Sequence, residues 1–206
     1  VLILAADTSL AMLSVALLRD DTTIGAIALE GKGSRNEKLL PAIDWLLQEC
    51  AVSKHDIDLF AVTRGPGSFT GVRIGLATLQ GLALVLGRGI CAMSTHEAVR
   101  ELIGGDGRVA VRDDAGRGES YVTLFDGHAM QDEPRLASAG GVELLASAAT
   151  VVDVADVLRT GNVAAGCARV ASRVAARDEL SRYADITPIY VRLAEAEVQL
   201  QQRRNA

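Results

Sequence analysis

Residues 64–75 read Arg64-Gly65-Pro66-Gly67-Ser68-Phe69-Thr70-Gly71-Val72-Arg73-Ile74-Gly75, directly after the apolar run Asp58-Leu59-Phe60-Ala61-Val62-Thr63. The order predicted is buried strand, glycine loop, helix, and the fold class follows from it. Pro66 fixes one dihedral, Gly65 and Gly67 permit positive ones, and Ser68 or Thr70 is placed to cap a helix running to about Leu86. A helix end of this kind attracts an anion. The segment lacks the Gly-Lys-Ser/Thr ending of a P-loop, and Gly67-Ser68-Phe69-Thr70-Gly71 does not match a serine-hydrolase elbow, so those two chemistries are set aside.

Working outward, residues 2–6, 13–17 and 22–29 read as short strands joined by polar turns, the first carrying Asp7-Thr8-Ser9. Ser34 and Glu37 form a capping box ahead of an amphipathic helix from about 35 to 50, in which Leu39, Leu40, Ile43, Leu46, Leu47 and Cys50 recur at helical spacing and Pro41 introduces a kink or a late start. A strand near 89–92 and a helix over 95–103 complete a lobe spanning 1–103. Gly104-Gly105-Asp106-Gly107 then breaks the pattern. The remainder, 104–206, reopens with strand, Asp113-Asp114 turn and strand, which suggests a second, shortened lobe of the same plan. Within it 151–158 reads as strand or helix, 162–166 as a strand, 167–176 as a helix and 194–204 as a polar terminal helix. The fold class expected is α/β, two lobes each with a mixed sheet and flanking helices.

Composition narrows the function. The net charge of −5 argues against a self-sufficient nucleic-acid binder, and 3% aromatic residues supply few platforms for stacking bases. Cys50, Cys91 and Cys167 are widely spaced and apolar-flanked, as reduced core thiols are. His55, His96 and His128 never share the spacing of paired metal ligands, so no metal site is expected. The opening Val1 to Asp7 lacks a signal-peptide pattern and no apolar run reaches about 20 residues, from which a cytoplasmic protein without a membrane span is expected.

Asp7, Thr8 and Ser9, together with Gly65, Gly67 and Ser68, are the candidate cofactor-binding residues. A strand ending in Asp-Thr-Ser and turning into a second strand resembles the way actin-like ATPases present a carboxylate and hydroxyls to phosphates, although such a turn equally bonds its own backbone. The matching turn of the other lobe, Asp113 to Glu119, has separated glycines around the bulky Arg117, so tight nucleotide binding by this chain alone is not expected.

The helix after Ser68 holds Gly75 and Gly81 in its interior, each costing about 1 kcal/mol against alanine, so something must approach closely. Gly71 with Gly75, and Ala77 with Gly81, form two small-residue stripes. Together they point to a partner on one side of the helix. Arg73 stands in the first turn, where the macrodipole disfavours a cation, and a carboxylate or phosphate partner would offset this.

The chain strongly resembles the TsaB (formerly YeaZ) family of bacterial threonylcarbamoyladenosine synthesis on tRNA. The resemblance is carried by residues 3–9, 39–44, 64–83, 114–121 and Pro188-Ile189-Tyr190-Val191-Arg192. It implies an actin-like (ASKHA, ribonuclease H-like) fold and a non-catalytic subunit that binds and activates the sister subunit TsaD. The sister carries its metal on a His-x-x-x-His helix, where this chain has Asn36 and Leu40. The resemblance further implies a heterodimer with TsaD, a homodimer in isolation, the ATPase TsaE as a further partner, and tRNA reached only through the complex. ATP and metal then belong to the partners, no catalytic residue to this chain. The partner face expected comprises Glu37, Leu40, Ile43, Gly71, Arg73, Ile74, Gly75 and Thr78. The competing readings are a stand-alone ATP-dependent kinase or ATPase of the actin-like fold and a metallopeptidase-like protein.

Overall fold

A computed structural model describes residues 1–30, 35–177 and 186–191. The capping role expected of Ser34, the helix expected over 194–204, and Arg192 lie outside them. The strands β1 (Leu2–Asp7), β2 (Leu13–Arg19) and β3 (Thr22–Leu29) form an antiparallel meander, to which β4 (Leu59–Thr63) and β5 (Gly89–Met93) add in parallel, giving the order β3-β2-β1-β4-β5. Helices α1 (Arg35–Glu49) and α2 (Phe69–Leu86) lead into the parallel strands. Leu2, Leu4, Ala6, Val15, Leu17, Phe60 and Val62 point to the face covered by α1 and α2, whereas Ile3, Ala5, Ala16, Leu18, Leu59 and Ala61 point to the other. Burial on both faces is why these strands are apolar runs without polar alternation.

The opposite face is covered by α6 (Val163–Ala176), against which α3 (Thr95–Ile103) packs. Between them in sequence stands a second mixed sheet of β6 (Arg108–Gly116), β7 (Glu119–Asp126), β8 (Ala129–Met130), β9 (Arg135–Ser138) and β10 (Thr150–Asp153), with α4 (Ala139–Ala146) and α5 (Val154–Leu158) beside it. The molecule is thus a two-lobed α/β protein with the actin-like arrangement. The strands divide between the sheets on either side of Gly104, but α6 returns to pack on β1, β2 and α3 of the first lobe. Val109, Val111, Phe125 and Val154 of the second lobe share one core with Ile3, Ala5, Ala98 and Cys167.

Several local expectations change. Residues 162–166 are not a strand: Asn162 caps α6, its Oδ1 accepting from Ala165 N at 3.0 Å while its Nδ2 donates to Ile27 O at 2.9 Å. Five residues are too few to show a period, and asparagine suits both a turn and a cap. Residues 151–158 are both strand and helix, β10 followed by α5, with Asp153 capping. Asp113 and Asp114 sit on β6 rather than in the turn, which falls at Gly116, Arg117 and Gly118, all with positive φ. By length and composition α2 is apolar enough to cross a membrane, which no segment was expected to be. Here its Val72, Leu76, Leu79 and Ala83 enter the core.

The two glycine stripes of α2 have opposite roles. A Cβ on Gly71 would collide with the backbone carbonyl of Thr8, and one on Gly75 would lie 2.5 Å from Thr8 Oγ1. The β1–β2 turn is therefore seated on α2 through bare backbone. Gly71 and Gly75 were expected at a partner face and instead form an internal contact, as does Ile43, which is buried in the α1 side of the core. Gly81 faces outward, and a Cβ added to it would meet no described residue within 4 Å. Gly71→Ala should therefore destabilise the fold by about 2–4 kcal/mol, since backbone must shift, whereas Gly81→Ala should stabilise it by about 0.5–1 kcal/mol through helix propensity. Urea unfolding of the two variants checks this, and equal effects would contradict the seating of α2 on Thr8.

Candidate functional site

The glycine loop is held from three sides. Ser68 N donates to Ser9 O at 2.7 Å, Thr95 N donates to Gly65 O at 2.7 Å, and Ile189 N donates to Arg64 O at 2.6 Å. Ser68 caps α2, its hydroxyl accepting from Gly71 N at 3.2 Å. Gly67 has φ +148°, and a Cβ there would run into Ser9 O, so both conformation and space call for glycine. The Gly65–Pro66 peptide is cis.

Asp7 ends β1 beneath this loop, fully buried. Its Oδ1 accepts from Ser9 Oγ at 2.5 Å, Thr63 Oγ1 at 2.5 Å and Ser9 N at 3.2 Å, while Oδ2 has no hydrogen-bond partner among the described residues. Burial pushes this carboxyl above its ordinary range, the hydroxyl donors partly opposing it. Ser9 Oγ also shares a 2.8 Å hydrogen bond with Thr95 Oγ1, and the next residue, His96, pairs its Nδ1 with Thr123 Oγ1 of β7 at 2.8 Å. Burial lowers the imidazole to about 3, so His96 is neutral and links the lobes structurally. These hydroxyl bridges join β1, β4, α3 and β7.

Above them lies a cleft of about 500 Å³ between the lobes. One wall is Ser9, Gly67 and Ser68, and the other is Asp113, Asp114, Gly116 and Tyr121. Of the six candidate cofactor residues, the fold brings three, Ser9, Gly67 and Ser68, to the cleft. Asp7 lies underneath, Thr8 turns away to donate its hydroxyl to Gly71 O at 2.6 Å, and Gly65 packs against Ile189 O. The sequence pattern puts Asp113 in a turn. In the fold its carboxyl is pushed up to about 6, first by burial and then by the neighbouring charges of Asp153, Asp114 and Asp7. Two carboxylates on the wall opposite the glycine loop disfavour a polyphosphate there. Among the described residues no group of three His, Cys, Asp or Glu side chains is placed to hold a metal.

The outer surface of α1 and α2 is a second site. Glu37, Leu40 and Arg73 are exposed as expected, and Ile74 and Thr78 are half-buried at its margin. Sequence reasoning missed its largest apolar members: Trp45 is 50% exposed, Leu84 70% and Val85 83%. The spacing Arg73, Ala77, Gly81, Val85 carried the signal, since residues four apart share a helix face.

Known proteins are similar to this chain in sequence and in fold. The family model for TsaD, tRNA N6-adenosine threonylcarbamoyltransferase, matches residues 32–152, more than half of the chain. The chain belongs to that family. Within it the relatives place the chain on the TsaB (YeaZ) branch. The tRNA threonylcarbamoyladenosine biosynthesis protein TsaB of Bacillus subtilis is 38% identical over 127 residues, 60% of this chain and 54% of the relative. That of Escherichia coli is 44% identical over 82 residues, 40% of this chain and 35% of the relative. The matched part thus spans about half or less of these TsaB relatives. The solved structure of YeaZ from Pseudomonas aeruginosa superposes with a TM-score of 0.72 at 26% identity, covering 92% of this chain and 99% of that one.

The raised carboxyl of Asp113 gives a pH test of the cleft. An acid whose folded pKa is raised contributes stability that is complete below about pH 4 and lost as pH rises through about 6. Asp113→Asn keeps the acceptor for Asp114 N but not the titration. At pH 7 the variant should be more stable than the parent by about 2 kcal/mol, allowing for solvent screening, and at pH 4 the two should match. Unfolding at both pH values measures the difference.

Proposed function

We propose that this chain is a non-catalytic subunit in threonylcarbamoyladenosine modification of tRNA, which binds a TsaD-type subunit through α1 and α2 and holds it in a competent state. The observation that carries this reading is the exposed apolar face of those helices, with Leu40, Trp45, Leu84 and Val85 turned to solvent. Large apolar side chains left exposed on two neighbouring helices suit a protein contact. The names of the TsaB relatives supply the pathway. In this reading the protein works in the cytoplasm and TsaE joins the assembly. A second copy takes the same face when the partner is absent, and tRNA is reached only through the complex.

The stand-alone ATPase reading requires Asp7 to position magnesium and the lobes to close on phosphates. Three observations weigh against it. Asp7 spends Oδ1 on Ser9 and Thr63 within the core. The lobes share one hydrophobic core, which opposes hinge motion. Asp113 and Asp114 face the glycine loop across the cleft. Calorimetry with ATP and magnesium should therefore show no micromolar binding by the purified chain, and micromolar binding would move it to the enzyme class.

The direct test is reconstitution with TsaD, TsaE and the threonylcarbamoyl-adenylate synthase. The parent chain should co-elute with TsaD and support tRNA modification. Val85→Glu should abolish co-elution and lower modification at least 10-fold while leaving the melting temperature within about 2 °C, as expected of an exposed site. Modification at full rate without this chain would overturn the proposal.

A further inference from the structure

The outer face of α2 is polarised. Leu84 and Val85 occupy its C-terminal end, and Arg73 stands at the other, fixed more firmly than a surface arginine ordinarily is. Its Nε donates to Tyr190 Oη at 2.7 Å. Its guanidinium carbon lies 3.9 Å from the centre of the Phe69 ring and 5.6 Å from that of Tyr190, and the two rings are 4.7 Å apart. Tyr190 reaches this place because residues 186–191 cross the glycine loop, with Ile189 N on Arg64 O at 2.6 Å and Arg64 Nη1 on Thr187 O at 3.5 Å.

With Nε and one face engaged, the two terminal nitrogens of Arg73 remain for another group. None of the ion pairs among the described residues uses them. A planar guanidinium oriented in this way is suited to two-point recognition of an oxyanion. Arg73 is the fifth residue of α2, near the N-terminal end of the helix and away from Leu84 and Val85.

The surroundings define the rest of the ligand. A groove of about 410 Å³ lies between α2 and residues 186–190, lined by Leu76, Ala77, Ile186 and Pro188 with Gln80 and Tyr190 at its polar side. Arg73 is the charged side chain among the described residues that line it. Beyond Ala77 the exposed face of α2 runs on through Gly81 and Val85, and no described residue lies within 4 Å of a Cβ added at Gly81.

We infer that this groove receives a segment of the partner protein that bears a carboxylate, with the carboxylate on Arg73 and apolar side chains over Ala77, Gly81 and Val85. A nucleic-acid phosphate would suit the guanidinium alone, but the apolar walls and the net charge of −5 favour a protein. The inference rests on the proposed TsaD-type partner and adds the chemistry of the contact: charge complementarity at one end, close apolar packing at the other. Tyr190 is a positioning residue in this arrangement, acting through Arg73.

The experiment measures the affinity of the full chain for the TsaD-type subunit by calorimetry at about 50 and 300 mM salt, between which surface charges become largely screened. The parent is compared with Arg73→Gln, Arg73→Lys, Tyr190→Phe and Val85→Glu, each first shown to melt as the parent does. Arg73→Gln should weaken binding at least 10-fold at low salt and flatten the salt dependence. Arg73→Lys should recover part of the loss, and Tyr190→Phe should weaken binding about 3-fold with the salt dependence retained. If Arg73→Gln binds as the parent does while Val85→Glu does not bind, the docking face stands and the carboxylate contact is wrong. Absence of binding by the parent overturns the proposed function and this inference together. Unchanged TsaD affinity of Arg73→Gln with weakened tRNA binding by the assembled complex would assign Arg73 to phosphate and overturn the inference.

Discussion

The carbonyl and hydroxyl of Thr8 occupy the space that side chains at positions 71 and 75 would fill. From this contact the first lobe is organised. It seats the β1–β2 turn on α2, the Ser68–Ser9 hydrogen bond then closes the glycine loop over that turn, and Asp7 is enclosed beneath it with Ser9 and Thr63. The same rotation of α2 that turns Gly71 and Gly75 inward turns Arg73, Ala77, Gly81 and Val85 outward, because the two sets lie on opposed faces of one helix. Internal packing and the outer face are consequences of one constraint.

That constraint bears on catalysis as well as on docking. In a nucleotide-using protein of this architecture, a carboxylate at the end of the first strand would need to address the cleft. Here it is turned into hydroxyl bonds within the core, and the Ser9–Thr95 and His96–Thr123 contacts continue those bonds toward the second lobe. With α6 packed across the first sheet, the two walls of the cleft rest on a core common to both lobes.

Much of this was legible in the sequence where a period runs long enough. The short strands around Leu4 and Val15, the buried strand around Phe60 and the two helices before and after the glycine loop could be read directly, as could a cap at Ser68 or Thr70, of which the fold uses Ser68. Which neighbour covers a given face was not legible. Periodicity groups Gly71 with Gly75 and Ala77 with Gly81 but cannot say that Thr8 covers the first pair while the described residues leave Gly81 of the second open. Asn162 was ambiguous because its cap and turn chemistries coincide, and Asp113 because its turn begins later, at Gly116. The crossing of 186–191 over Arg64 had no local signature, since its contacts are made with residues more than a hundred positions away.

On this view the chain acts through the outer face of α2 and not through its interlobe cleft. A photo-crosslinking residue placed at Ala77 and, in a separate variant, at Ala115 on the cleft wall distinguishes the two in the assembled complex. Position 77 should crosslink to the TsaD-type subunit and position 115 should not. A crosslink from 115 with none from 77 would place the working surface in the cleft and refute docking through α2.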